Sequence, residues 1–174
     1  MRNLIPRIAL LLCLAVPLAG QTDEWKRYSN VDGNFSVLFP VEPTDTLNGE
    51  QGEVRSHTLL ALARPYAYTV VYTTMTREQT VDEATYEVFK DAVFKELPKC
   101  SVVTVGAVSP AIPGYIGHWY RLSCDLTNSA LTMTGNLYWG RHYAYAVMAM
   151  FPTAPDPPTV RKFTDSFSVT DTSK

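Results

Sequence analysis

The sequence predicts an α+β domain, an antiparallel β-sheet of about six to seven strands flanked by a central helix and a short C-terminal helix. Three observations predict it. Short runs rich in Val, Thr and Tyr alternate in polarity and are punctuated by Gly and Pro. One segment, residues 80–97, instead carries its apolar residues at helical spacing. The order that results is strands, helix, four strands, helix, without repeats or low-complexity tracts.

The first twenty residues stand apart from this pattern. Arg2 and Arg7 give a positive start, Ile8 to Val16 an unbroken apolar run, and Ala19 and Gly20 a small-residue cleavage site. Residues 1–20 therefore read as a secretory signal peptide, and residues 21–174 as a single domain. The apolar run falls short of the roughly 20 residues that a membrane span requires. Gln21 stands where a lipoprotein would carry its acylated cysteine, and Cys13 lies inside the apolar run. The expected product is periplasmic or secreted, with no stable membrane anchor. Without Arg2 and Arg7, thirteen Lys and Arg face seventeen Asp and Glu, a net charge of −4. A mildly acidic chain with no basic block lacks the electrostatic footprint of a nucleic-acid binder.

Trp25 to Tyr28 reads as a short opening segment before a turn at Asp32-Gly33, and Phe35–Phe39 as a strand ended by Pro40. Pro43–Gly52 is polar and aperiodic and reads as a loop. Val54–Ala63 and Tyr66–Met75 are strands joined at Arg64-Pro65. Thr80 opens the helix, with Glu83 at capping-box spacing. Val81, Ala84, Val88, Phe89, Ala92, Val93 and Leu97 form its expected apolar stripe, with Glu87, Lys90, Asp91 and Lys95 outside and Pro98 as the stop.

Ser101–Val108 and Tyr115–Leu126 flank the turn Pro110 to Gly114. A hairpin symmetric about Ile112 sets Cys100 directly opposite Cys124, within disulfide reach. An even pair in an exported chain favours the bridge over the alternative of two buried thiols. Ala130–Trp139 and His142–Phe151 form a second hairpin about Gly140-Arg141, where a leading Gly suits a type II′ turn. One face of it carries Met133, Gly135, Leu137 and Trp139 with Met150, Met148, Ala146 and Ala144. The other carries Thr132, Thr134, Asn136 and Tyr138 with Ala149, Val147, Tyr145 and Tyr143, an amphipathic face that could be wet. After Pro155 to Pro158, Thr159–Phe167 reads as a short helix and Ser168–Thr170 as a last edge strand.

In this order of elements the chain resembles the PsbP-like α/β/α-sandwich family. The carrying features are Asn34 to Pro40 after a Gly turn, the central amphipathic helix, and Phe163-Thr164-Asp165-Ser166-Phe167 before a terminal strand. That family includes an extrinsic photosystem II subunit, a Ran-binding nuclear import factor and many secreted or lipid-anchored bacterial proteins. It shares a fold and no single chemistry, so the resemblance implies binding or accessory roles.

No Gly-x-Ser-x-Gly elbow or phosphate loop is present, and His57, His118 and His142 lack metal-ligand spacing. Asp82, Glu83, Glu87 and Asp91 look like a solvated helix face. No enzyme activity, cofactor or metal is expected. The candidate binding surface is aromatic: Tyr138, Tyr143, Tyr145 and Asn136 on the second hairpin, with Tyr66, Tyr68 and Tyr72 alternating onto one face of an earlier strand. Tyrosine combines apolar area with a polar tip, which suits interfaces. The expected function is that of a non-catalytic exported accessory protein acting through protein–protein contacts. The alternative is a carrier or sensor of a small apolar ligand held between sheet and helix, with Met133, Met148, Met150, Gly135, Ala144 and Ala146 as its lining.

Overall fold

The computed structural model describes residues 24–97, 99–126, 129–152 and 157–171. The signal segment 1–20, the helix stop at Pro98 and most of the proline linker before the last helix lie outside the described residues. The elements are β1 (Lys26–Asn30), β2 (Phe35–Phe39), β3 (Thr44–Gln51), β4 (Val54–Ala63), β5 (Tyr66–Met75), α1 (Glu83–Lys95), β6 (Cys100–Ala107), β7 (Ile116–Leu126), β8 (Ser129–Trp139), β9 (Tyr143–Phe151), α2 (Pro158–Asp165) and β10 (Ser168–Val169).

The fold is a sheet-dominated α+β arrangement with two sheets where the sequence predicts one. Seven antiparallel strands run in the order β3-β4-β5-β9-β8-β7-β6, and a separate sheet has the order β1-β2-β10. The reason is the alternation in β2: Phe35, Val37 and Phe39 are all buried, and they face a sheet rather than extend one. With Val160 and Phe163 of α2, and Phe167 just after it, they join Leu59, Tyr68, Val70, Tyr145, Val147 and Phe151 in one core cluster. Alternate residues of β9 belong to a second cluster, where Ala146 and Met148 meet Tyr86, Tyr120, Leu122, Met133 and Leu137. β9 is thus buried on both faces.

Three expectations need correction. Residues 44–51 form an edge strand, not a loop; β3 pairs with β4 and carries a bulge between Leu47 and Gly49. α1 starts two residues later than expected, with Asp82 as N-cap in a capping box with Thr85. Its stripe is also rotated: Val88 is 72% exposed, while Tyr86 is the fully buried residue, with Phe89, Val93, Phe94 and Leu97 beside it. Tyr86 anchors the helix because its ring is the largest apolar body available, and its hydroxyl donates to Tyr120 Oη at 3.0 Å.

The second hairpin keeps its expected faces, and the first keeps its cysteine pairing. In β6–β7 the pairs near the turn are offset by one, and a bulge between Val102 and Thr104 restores Cys100 opposite Cys124, which are disulfide-bonded. In β8–β9, Trp139 pairs with Ala144 rather than His142, a shift of two residues that leaves every side chain on its face. Gly140 is not at positive φ, so no type II′ turn forms. Glycine is required there by crowding, since a Cβ would sit 2.4 Å from the Tyr115 ring.

Candidate functional site

All seven residues of the aromatic surface expected from the sequence lie on one face of the large sheet, but that face is not open. Tyr145 is 0%, Tyr68 1%, Tyr72 2% and Tyr138 3% exposed, and Asn136 is buried with them. Tyr66 and Tyr143 are half-buried at the margin. The small sheet and α2 lie over them: Phe35 meets Tyr72 and Tyr145 at 5.3 and 5.8 Å, and Phe167 stacks on Tyr138 at 5.3 Å. The expectation of a water-facing binding surface is therefore corrected.

Strand register makes this face a continuous row. His57 pairs with Tyr72, Tyr72 with Tyr145, Tyr145 with Tyr138, and Tyr138 with Gly117. The hydroxyls serve as internal ties. Tyr145 Oη donates to Gly33 O at 2.8 Å, Tyr72 Oη accepts from Asn30 Nδ2 at 3.2 Å, and Tyr138 Oη accepts from Asn136 Nδ2 at 3.1 Å. Burial pushes the Tyr72 and Tyr138 phenols up to about 12, and the Tyr145 phenol further still. These tyrosines stay neutral and structural.

The three histidines each have a polar partner. His57 Nδ1 is 3.1 Å from Asp45 Oδ1, and its ring stacks on Tyr72. His118 Nε2 lies 3.8 Å from Glu83 Oε2, beside the Tyr86 ring. His142 Nδ1 is 3.1 Å from Met75 O. No group of three or more His, Cys, Asp or Glu among the described residues is placed to hold a metal ion. An open cleft of about 320 Å³, lined by Thr74, Met75, Thr76, His142 and Tyr143, lies at the end of β5 and β9. The methionines of the second hairpin are elsewhere: Met133 and Met148 pack into the core with Tyr86. Gly135 is small because a Cβ would sit 2.1 Å from Val147 O, so the strands themselves account for it.

What the fold leaves open is an edge. β6 is the last strand of the large sheet, hydrogen-bonded to β7 alone among the described strands. Val102, Val103 and Val105 are 49%, 60% and 54% exposed. No charged residue or proline falls within Cys100–Ala107. The opposite edge differs in kind, because β3 carries Asp45 and Glu50, which engage His57 and Arg55. Charges and bulges guard edge strands against pairing with another chain. β6 has a bulge and no charge, and its Cys100 end is clamped by the disulfide. The sequence reading missed this edge, since strand order decides which valine-rich strand ends the sheet. The local signal was the uncharged run Ser101-Val102-Val103-Thr104-Val105.

No family model, curated protein or solved structure matches the chain. Among the described residues no helix is long and apolar enough to cross a membrane.

Proposed function

We propose that the chain is a non-catalytic accessory protein, exported to the periplasm or beyond, that works by binding another polypeptide along the β6 edge. The observation that carries this reading is the uncharged, half-exposed valine strand whose outer edge pairs with no other described strand. An extended segment that adds to such an edge gains main-chain hydrogen bonds and side-chain contacts together. The formed disulfide and the signal-like first twenty residues support export. The PsbP-like relationship belongs to the same proposal and rests on the order of elements.

A photo-crosslinking residue at Val105, compared with one at Leu47 on the β3 edge, tests it in the producing cells. Polypeptide adducts concentrated at Val105 are expected. Equal labelling at both sites, or none at Val105, removes the reading.

The carrier alternative places a small apolar ligand between sheet and helix, where Met133, Met148 and Ala146 pack against Tyr86. Native mass spectrometry of freshly purified protein separates the two, because a carrier brings a bound small-molecule mass.

A further inference from the structure

Building on the β6 docking reading, we infer that the polypeptide taken up at this edge is a second copy of the chain, paired antiparallel through β6 about a two-fold axis between Val103 and Thr104. The backbone phase points there. In an antiparallel ladder, residues alternate between pairs that exchange both hydrogen bonds and pairs whose groups point away. Asp125 N donates to Lys99 O at 2.8 Å and Val108 N to Gly117 O at 3.5 Å, so Lys99 and Val108 both face β7.

Counting inward from these two ends, Val102, Val105 and Ala107 turn their N–H and C=O groups outward, while the Cys100 N–H is already taken by Leu97 O. The bulge between Val102 and Thr104 produces this spacing. A two-fold axis between Val103 and Thr104 sets Val102 of each copy opposite Val105 of the other, and each pair exchanges both bonds. The outward groups of the strand are their own complement.

The side chains and charge agree with the backbone. Val102 and Val105 pair with Leu122 and Tyr120, both members of the core cluster that contains Tyr86. Four valines around the axis would extend that cluster from one copy into the next. An acidic chain normally resists its own copy, but this strand brings no like charges together, and it offers none that would select a different, charged partner. Isologous pairing across an open edge is closed, so it ends at a dimer.

Sedimentation equilibrium of the purified chain tests the inference with two variants. The unaltered chain is expected to associate to twice the chain mass. V102K/V105K, which places lysines opposite lysines, is expected to dimerise at least about a hundredfold more weakly. V102E/V105K, in which each Lys faces a Glu across the axis, is expected to recover most of that loss. Unchanged thermal unfolding of the monomeric variant shows that the fold survives. An unaltered chain that stays monomeric at all concentrations overturns the inference, as does a V102E/V105K variant no better than V102K/V105K. A monomer that still gives adducts with a different polypeptide at Val105 keeps the docking reading and removes only the second copy.

Discussion

Tyr138 lies against Gly117, its register partner on β7, so closely that a Cβ at Gly117 would come within 2.8 Å of the ring. The glycine is the floor on which the last tyrosine of the row rests. Gly117→Ala is expected to destabilise the protein by about 1–3 kcal/mol, because the ring is held from above by Phe167 and cannot move aside. Urea unfolding checks this; a variant as stable as the parent shows that the ring has room.

The Asn136–Tyr138 bond lies in the buried face, where an unpaired amide is costly. Tyr138→Phe is expected to cost about 1–3 kcal/mol by stranding the Asn136 side chain. Asn136→Leu combined with Tyr138→Phe is expected to recover part of that loss. Non-additivity in a double-mutant cycle is the readout, and strict additivity counts against the bond.

Alkaline pH probes the same row. Folding raises the Tyr72 and Tyr138 phenols from 10.0 to about 12 through burial, so the folded state holds protons that the unfolded chain releases. Their contribution is fully present below pH 10.0 and is lost as pH climbs through about 12. Stability is expected to fall steadily over that window, with some of the ten tyrosines ionising only on unfolding. Phenolate absorbance recorded beside circular dichroism checks it. Complete ionisation near pH 10.0 in a folded protein contradicts the tyrosine placement.

Removing the Cys100–Cys124 bridge by double substitution to Ala is expected to cost about 3 kcal/mol on the chain-entropy model. Thermal unfolding measures the loss. Two free thiols in the unreduced, unaltered protein rule the bridge out.

The phase of α1 yields a paired prediction. Val88→Lys changes stability within about 0.5 kcal/mol, since the site faces solvent. Tyr86→Ala costs about 3–5 kcal/mol, because it empties the centre of the second cluster. A reversal of that order would restore the stripe expected from the sequence.

Much of the fold was legible because strands encode it locally. The cysteines reported the β6–β7 pairing, and strict alternation assigned each β8 and β9 side chain to its face despite a two-residue error in register. What was not legible depended on partners far along the chain. Nothing within Thr44–Gln51 reveals that β4 accepts it as an edge strand. Nothing within Tyr138 to Tyr145 reveals that Phe35 and Phe167 cover their rings. Helix phase failed because Tyr86, polar at its tip, was left out of the apolar stripe, although its hydroxyl finds Tyr120 inside. Residues 86, 89, 93, 94 and 97 form a coherent stripe once it is included.

Asn34 holds the segment that follows β10. Its backbone is left-handed, with φ 56°, its Nδ2 donates to Asp171 O at 2.7 Å, and its Oδ1 accepts from Asp171 N at 3.0 Å. Synthesis therefore delivers the two halves of this clamp at opposite times. Until residues 167–171 leave the ribosome, Asn34 has no Asp171 to grip, β2 has no β10, and the underside of Phe35 has no Phe167. β5 also waits for β9, so the sheet cannot close from its first half alone. A chain cut short before α2 leaves Tyr68 without Phe163 and Tyr138 without Phe167, so part of the row stays uncovered.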